Sequence, residues 1–320
     1  MGLSVYIVNA FTKDTKGGNG AGVVVDASML TASEMQIIAK EVGLSETAFI
    51  IPNANKKKHN NSKNVEDYDF EVRFFTPTQE VELCGHATIA SFYTLANLGM
   101  ISCDGGKNQK IIRQKTKAGI LDVELNFSDD NISNVLMTQT DPNFLFEIDD
   151  SSELCNILGI SSEDIFIESF KIKPQAVSTG LADIMLPVKN LKVLKSINPD
   201  FKKLADYSNS LGVIGVHAFT LETENDTSNV STRNFGPAAG IDEESATGTS
   251  NGALGAYLIK NEIIKVNKDE STTIYCEQGY YMDNPSEIIV KGEKSFEKIV
   301  IKVGGKASII AKKEIELNEI

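Results

Sequence analysis

The sequence predicts a mixed α/β (α+β) protein of two similar domains, in each of which a curled sheet surrounds one buried helix. Three observations support this prediction. Short strand-like segments run along the chain, two helical segments lack a polar face, and one motif recurs at half the chain length. The 320 residues suffice for two ordinary domains with large apolar cores.

Most of the first seventy residues have the patterns of short strands and turns. Val5 to Phe11 and Val23 to Val25 are strand-like, and Gly17 to Gly22 lies between them as a glycine-rich turn. Ser45 to Ile50 begins a further apolar strand. The polar residues 53–68, rich in Asn and Lys, are typical of the tip of a hairpin.

One amphipathic helix is predicted in this region, from Thr31 to Val42. Thr31 and Glu34 have the spacing of a capping box, in which each side chain accepts a hydrogen bond from the other residue's backbone N–H. Gly43 follows the last turn, where a residue with left-handed backbone is favoured.

A second helix has a different character. Phe70 to Phe75 alternates like a strand and is stopped by Pro77. Gly85 then opens a segment, His86 to Leu98, with apolar or small residues on nearly every face, and Gly99 ends it. A helix without a polar stripe is a buried helix, so we expect the neighbouring strands to surround it.

The same arrangement recurs in the second half of the chain. Arg73–Pro77 and Arg233–Pro237 both read R-x-F-x-P and lie 160 residues apart. Each is followed by acidic residues and then by a glycine, Gly85 or Gly248, that opens an apolar helix. The second such helix contains Gly252–Ile259. The recurrence predicts two domains of the same construction.

Composition excludes several classes of function. The formal net charge of −13 disfavours binding to nucleic acid. The four cysteines contain no C-x-x-C pair, and only three histidines are present, which argues against a disulfide framework and a zinc site. The sequence contains no run of about 18 apolar residues, the length that would indicate a membrane span. Because residues 1–11 read as a strand and not as a secretion signal, we expect a cytoplasmic protein.

Two familiar motifs are present only in part. The glycines of Gly17–Gly22 do not fit the dinucleotide fingerprint G-x-G-x-x-G. Gly248–Gly252 matches the G-x-S-x-G nucleophile motif of α/β-hydrolases, but that fold places its histidine after the serine, and His217 precedes Ser250. A tight turn and a helix start account for these segments.

The two glycines at the helix starts have two interpretations. Helix N-termini present unpaired N–H groups and a partial positive charge, so Gly85 and Gly248 could together hold a substrate carboxylate. Alternatively, the glycines serve only close packing.

Two titratable residues near these segments are also ambiguous. Glu46, at the start of an apolar strand, is either a surface residue or an acid/base in a closed cleft. His86 directly follows Gly85, and is either structural or part of the site.

Taken together, these segments resemble the PhzF-type phenazine-biosynthesis family. The resemblance covers the whole chain. It is carried by the segments Gly18–Val23, Ser45–Phe49, Arg73–Pro77, Glu80–Thr88, Ser178–Leu181, Arg233–Ser250 and Val303–Ala307.

The resemblance implies two pseudo-symmetric domains of the diaminopimelate-epimerase type, each a curled, mostly antiparallel sheet or barrel around a central helix. It implies a cofactor-independent isomerase without a metal, with Glu46 as the acid/base. Besides Glu46, we expect His86 and Glu244 to be catalytic residues, which hold polar groups of a small carboxylate-bearing substrate and help to relay protons. The substrate-binding residues that it implies are Asn19, Gly85, Gly248 and Thr249.

Two departures from the family pattern concern specificity. The family usually has Asp where Glu244 stands, and often Ser where Thr249 stands. Each change keeps the functional group but alters its reach or bulk, so the substrate need not be that of the phenazine enzyme.

Two other functions stay open at this point. Related two-base epimerases use one cysteine from each half; Cys84 occupies the first such place, and Thr247 the second. A threonine hydroxyl is far too weak an acid to replace a thiol, which disfavours a racemase or epimerase assisted by Cys84. The remaining alternative is a non-enzymatic protein that binds small molecules.

We expect a first domain of residues 1–128, joined by a C-terminal strand at about 308–320, and a second domain of residues 129–307. The linker is expected at residues 126–132. The family resemblance also implies a homodimer.

Overall fold

The computed structural model describes residues 2–54, 67–103, 107–167, 170, 172–267, 270–295 and 298–316. Most of the expected polar hairpin tip at residues 53–68 lies outside the described residues, as do the last four residues of the expected C-terminal strand.

The chain divides into two compact units. The first comprises Met1–Thr15, Asn19–Thr138 and Gly304–Ile320, and the second comprises Lys16–Gly18 and Gln139–Val303. Within the described residues, no helix is both long and apolar enough to cross a lipid bilayer.

The first unit contains two helices and nine strands among the described residues. In chain order they are β1 (Gly2–Ala10), β2 (Asn19–Val24), α1 (Ala32–Val42), β3 (Glu46–Pro52), β4 (Phe70–Phe75), β5 (Glu80–Val81), α2 (Gly85–Asn97), β6 (Gln109–Thr116), β7 (Gly119–Ser128) and β8 (Asn131–Thr138), joined by a strand near the C-terminus that is numbered below.

The second unit contains the remaining elements. They are β9 (Asn143–Glu147), α3 (Ser152–Leu158), β10 (Gln175–Ser178), β11 (Ala182–Pro187), α4 (Leu191–Ser196), α5 (Phe201–Leu211), β12 (Gly215–Thr220), β13 (Val230–Gly236), β14 (Ile241–Glu244), α6 (Gly248–Lys260), β15 (Ser271–Gln278), β16 (Ser286–Ser295) and β17 (Lys298–Gly305). β18 (Ala307–Glu316) returns to the first unit.

Strands of the first unit form a curled sheet around α2. β1 pairs antiparallel with both β2 and β18, and the pairs β3–β4, β6–β7 and β7–β8 are also antiparallel. Parallel pairs join β2 to β3 and β4 to β6. Because α2 contacts β1, β2, β3, β8 and β18, strands from most of the sheet surround this one helix.

The burial of α2 is possible because its polar side chains are satisfied within the helix. The hydroxyls of Thr88, Ser91 and Thr94 are completely buried, and each donates to the backbone carbonyl four residues earlier, at 2.7–2.8 Å. A buried hydroxyl without such a partner would carry a desolvation penalty. The helix therefore needs no polar face.

In the second unit α6 occupies the corresponding position. It contacts β10, β11, β12 and β16, and the ten consecutive residues Ser250–Ile259 are buried. Glycine allows the closest of these approaches: a Cβ at Gly255 would lie 2.6 Å from Val290 Cγ1. Packing therefore explains this glycine of α6.

The other helices lie on the sheets and not within them. α1 packs Met35, Ile38 and Ala39 into an apolar cluster with strands of the first unit, and α3, α4 and α5 share a second cluster in the second unit. The capping box of Thr31 and Glu34 and the left-handed Gly43 frame α1 as the sequence predicts. The predicted mixed α/β fold with curled sheets is confirmed.

The glycine-rich segment differs from its prediction. Asn19–Gly22 is part of strand β2, and only the residues before it form a turn. Gly17 has φ 67°, and a Cβ there would lie 1.7 Å from the carbonyl oxygen of Pro285, so only glycine fits.

The segment 126–132, expected as a linker, forms the tight hairpin between β7 and β8. Asp129 and Asp130 turn the chain in the left-handed region, with φ 49° and 64°. Asp tolerates this backbone because its short side chain can form local hydrogen bonds. The first unit accordingly continues to Thr138.

The recurring R-x-F-x-P motif builds the same ion pair in both units. The Arg73 guanidinium donates two hydrogen bonds to Glu80, at 2.8 and 2.9 Å, and lies over the ring of Phe75. Arg233 donates two hydrogen bonds of 2.8 Å to Glu243 and lies over the ring of Phe235.

These two arginine–glutamate ion pairs allow a matched comparison. Arg233 also donates to the carbonyls of Leu194 and Ile197, whereas Glu80 keeps the ammonium of Lys117 at 2.7 Å when Arg73 is removed. We expect Arg233→Ala to lower the free energy of unfolding by about 3–5 kcal/mol, since it leaves a largely buried carboxylate and two carbonyls without their donor.

Arg73→Ala should cost at least about 1 kcal/mol less, because Glu80 retains a cation. Urea denaturation of both variants measures the difference. Equal losses of the free energy of unfolding would contradict the conclusion that more groups lose their only donor in Arg233→Ala than in Arg73→Ala.

Candidate active site

Glu46 is the first residue of β3, where the parallel pairing of β2 and β3 places it opposite Ala21. The next four residues of the strand are buried, so Glu46 lies at the strand end, just before its buried part. Its side chain is 21% exposed. The carboxylate is therefore largely withdrawn from water.

His86 approaches Glu46 from the first turn of α2. The imidazole Nε2 lies 3.2 Å from Glu46 Oε2 and 3.3 Å from Ser45 Oγ. On its other side, the ring nitrogens lie 3.5 and 3.9 Å from Cys84 Sγ. Four chemically active side chains of the first unit thus meet at one place.

The contacts shift both titratable partners toward their charged forms. Burial opposes ionisation of Glu46, but His86, Ser45 and Cys84 together outweigh it, and the pKa of the carboxyl lies below its ordinary value. Burial likewise opposes protonation of His86, yet the Cys84 sulfur and the Glu46 carboxylate raise its pKa well above the usual value. The resting state is an ion pair.

One carboxylate oxygen of this ion pair can still accept a proton or a hydrogen bond. Glu46 Oε2 is buried and has no hydrogen bond, and its contact with His86 is an ion pair at 3.2 Å. Buried carboxylate oxygens are ordinarily satisfied, and an exception calls for a functional explanation. This oxygen can accept a proton.

Packing does not account for Gly85. A Cβ at this position would meet no atom closer than Met137 Sδ, at 3.8 Å, which is ordinary contact. Moreover, the N-cap residue Cys84 forms no side-chain capping hydrogen bond with α2, in contrast to Thr31 at the start of α1. The start of α2 therefore keeps the features of an anion-binding helix terminus.

Asn19 begins β2, where it pairs with Ala10. It lies two residues before Ala21, the partner of Glu46 across the β2–β3 pair. Its assignment to substrate binding stays a prediction.

In the second unit, Glu244 belongs to a network of polar side chains at the start of α6. The hydroxyl of Thr247 lies 2.5 Å from Glu244 Oε2 and 3.2 Å from Asn234 Oδ1. Gln278 donates to the Glu244 carbonyl at 2.7 Å and accepts from Asn251 at 2.7 Å. The position of Glu244 is thus set by several neighbours.

Asn234 extends this network to a fully buried carboxyl group. Its amide nitrogen lies 3.2 Å from His217 Nδ1 and 3.5 Å from Asp183 Oδ2, and Ser250 donates a hydrogen bond to the same Asp183 oxygen. Burial raises the pKa of Asp183 to about 6 and lowers that of His217 to about 4, so both groups are driven toward their neutral forms.

Gly248 and Thr249 occupy the first two positions of α6. Like Cys84 in α2, the N-cap residue Thr247 forms no side-chain capping bond. The Thr249 carbonyl accepts a hydrogen bond of 3.0 Å from Thr179. Thr179 belongs to Ser178–Leu181, one of the segments that carry the family resemblance. The structure thus brings Glu46 into contact with His86 beside Gly85 in the first unit, and in the second it places Glu244 against Thr247, the residue before Gly248 and Thr249. Asn19 is placed only on the neighbouring strand β2.

The residues that support Glu244 were not recognised from the sequence. Asp183 is the acid within the otherwise apolar strand Ala182–Pro187, and Asn251 is a polar residue in a buried helix. Both are unusual placements that could have indicated a buried network. Asn234 and Gln278 carry no such signal.

The first unit also contains a cavity of about 370 Å³ that is distinct from this constellation. Its lining includes Thr12, Tyr93 and Lys306, but neither Glu46 nor His86. Because acid–base chemistry requires titratable groups in contact, we assign the candidate active site to Glu46 and His86.

The raised pKa of Asp183 predicts that the free energy of unfolding depends on pH. Its carboxyl titrates near 3.8 ordinarily and near 6 in the fold. Its contribution to stability is therefore complete below the lower pKa and is lost as pH rises through the higher one. Relative to Asp183→Asn, the free energy of unfolding of the parent protein should fall by about 1 kcal/mol between about pH 5 and about pH 8.

Urea denaturation of both proteins at the two pH values measures this difference. Asp206→Asn, which removes an exposed carboxyl on α5, is the control. A difference between the parent and Asp183→Asn that is the same at both pH values would contradict the assigned pKa.

Comparison with known proteins identifies the family. A family model described as phenazine biosynthesis-like protein, PhzC-PhzF, matches residues 8–313. An uncharacterized isomerase of Clostridium acetobutylicum is 36% identical, with 98% of each chain covered. The trans-2,3-dihydro-3-hydroxyanthranilate isomerase of Pseudomonas aeruginosa is 24% identical over 95% of this chain and 96% of its own.

The same relationship is found among solved structures. The crystal structure of a PhzF-family phenazine biosynthesis protein from Bacillus anthracis superimposes with a TM-score of 0.83 at 29% identity, covering 99% of this chain and 100% of that one. The chain therefore belongs to the PhzC-PhzF family of phenazine biosynthesis-like proteins.

Proposed function

We propose that this protein is a cofactor-independent isomerase that moves a proton within a small carboxylate-bearing substrate, with Glu46 as the acid/base. The observation that carries the proposal is the buried oxygen of Glu46, which forms no hydrogen bond and lies 3.2 Å from His86. Relatives over nearly the whole chain length are named isomerases.

The first step follows from the charge state of the site. Glu46 is held ionised, so its oxygen takes a proton from a carbon made acidic by a neighbouring carboxylate or conjugated system. The C–H electron pair stays on the substrate, and Glu46 becomes a neutral carboxylic acid. His86, with its raised pKa, then balances the charge that develops on the substrate.

The second step returns the same proton to a different carbon. Protonated Glu46 lies next to a cationic imidazole, which favours release of the proton and restores the ion pair. Atoms and charge balance without a second reactant. The backbone N–H groups at the start of α2 hold the substrate carboxylate throughout.

Glu244 has an auxiliary role in this proposal. Thr247 and Gln278 position it firmly, as expected of a residue that binds polar substituents of the substrate. The substitution of Glu for the usual Asp extends the carboxylate by one methylene, so we propose that this protein prefers a different substrate but still turns over the compound named for the Pseudomonas relative.

A racemase assisted by Cys84 is the second candidate, because the sulfur lies 3.5 Å from His86 Nδ1. Such an enzyme needs a second acid/base of comparable strength. Thr247 is the N-cap of α6 as Cys84 is of α2, but its hydroxyl is bonded within the network of Glu244 and cannot supply a thiolate.

The central test is Glu46→Gln, which keeps the shape of the side chain but cannot exchange a proton. With trans-2,3-dihydro-3-hydroxyanthranilate as the probe, turnover should fall by about 10²–10⁴-fold, the usual worth of general acid–base catalysis. Binding of the probe, measured by calorimetry, should persist. Undiminished turnover in the variant would remove Glu46 from the mechanism.

Cys84→Ser distinguishes the two candidate functions. A single-carboxyl isomerase should retain most of its turnover, since the thiol transfers no proton, whereas a thiol-dependent racemase should lose nearly all of it. Rates for the probe and for the interconversion of amino-acid enantiomers are to be measured side by side, with Cys103→Ser as the thiol control. Abolition of turnover by Cys84→Ser alone would favour the racemase.

A further inference from the structure

The three side chains around the proposed proton carrier have the donor set of a metal site. Glu46, Cys84 and His86 each offer one ligand atom, and these atoms all lie within 4.8 Å of one another. Among the residues that the structure describes, no other group of three such side chains is this close.

The separations that involve His86 are close to those around a tetrahedral ion. Ligand atoms bound to zinc at ordinary bond lengths are separated by roughly 3.3–3.6 Å. Here His86 Nε2 lies 3.2 Å from Glu46 Oε2 and 3.9 Å from Cys84 Sγ, and the other ring nitrogen lies 3.5 Å from that sulfur. The ligand atoms of Glu46 and Cys84 lie within 4.8 Å of each other, so binding of one ion by all three side chains requires the donors to converge on it.

The state of the donors supports the same conclusion. Glu46 Oε2 is buried and forms no hydrogen bond, so its lone pairs are available to an ion. Because a metal ion binds neutral imidazole, its binding releases the proton of His86 and replaces the ion pair between His86 and Glu46. Cys84 and His86 are also largely buried, which limits competition from water. A thiolate and an imidazole select zinc over magnesium or calcium, which prefer oxygen ligands.

We propose that Glu46, Cys84 and His86 form a binding site for a thiophilic divalent cation, with Zn²⁺ the best match, and that its occupation inhibits the enzyme reversibly. Three protein ligands leave a fourth tetrahedral position for water. The ion uses the Glu46 oxygen that would otherwise accept the proton. The inhibition rests on the proposed function, whereas the metal site does not.

Cobalt(II) provides a direct test of the site. The tag-free protein, first treated with a chelator, is titrated with Co²⁺, which takes the coordination of zinc and absorbs light. We expect one equivalent to produce a thiolate-to-cobalt charge-transfer band and intense visible bands of tetrahedral cobalt, and Zn²⁺ to abolish them. Loss of one outer-shell partner weakens metal binding about 10–100-fold, so loss of the ligand in Cys84→Ser should weaken it at least about 100-fold.

Cys103→Ser is the matched control, because Cys103 is more exposed than Cys84 and is not part of the constellation. It should reproduce the parent spectrum. The absence of a thiolate band in the parent protein, or a band that persists in Cys84→Ser, would overturn the metal site.

The inhibition is tested separately, with turnover of trans-2,3-dihydro-3-hydroxyanthranilate in the parent protein and in Cys103→Ser. Zn²⁺ should slow both equally, and a chelator should restore both, while any residual turnover of Cys84→Ser should be insensitive to the ion. A filled site with undiminished turnover would overturn the inhibition, and would count against Glu46 as the proton carrier while leaving the metal site intact.

Discussion

Each unit of this protein is organised by one helix that has no polar side to turn toward water. α2 and α6 consist mainly of small and apolar residues, and the buried hydroxyls of Thr88, Ser91 and Thr94 in α2 donate to backbone carbonyls one turn earlier. Such a helix is stable only when apolar surface covers it on all sides. The sheet must therefore curl around it, and only its ends are available for polar chemistry.

This constraint explains why the titratable groups gather at the helix starts. Cys84 and His86 belong to the first residues of α2, and Thr247 and Ser250 to those of α6. The two constellations nevertheless differ in charge. In the first unit an acid with a lowered pKa faces a histidine with a raised pKa, whereas in the second burial shifts Asp183 and His217 in the opposite directions. One pair is suited to moving a proton, and the other to supporting its neighbours without a strong local field.

Much of this fold could be predicted from the sequence, because the patterns that indicate it are local. The capping box of Thr31 and Glu34, the unbroken apolar surface of α2 and the recurring R-x-F-x-P motif each follow from a few neighbouring residues. The ion partners of that motif were harder to predict: Arg73 pairs with Glu80 and Arg233 with Glu243, at different separations along the chain. The linker expected at residues 126–132 is a hairpin, since a polar turn between strands resembles a linker in composition. The surroundings of Glu244 depend on strands far apart in the chain, so local patterns can mark Asp183 and Asn251 as unusual but cannot predict which residues they meet.

The central step of the proposed mechanism is that a single carboxylate takes a proton from one carbon and returns it to another. Transfer of deuterium from labelled trans-2,3-dihydro-3-hydroxyanthranilate, carrying the isotope at the carbon that loses its proton, tests that claim directly. When the reaction runs in ordinary water, mass spectrometry of the product at early times should find part of the deuterium on the receiving carbon, because Glu46 is largely shielded from solvent. A product that contains no deuterium from the first turnovers onward would contradict transfer by one shielded carboxylate.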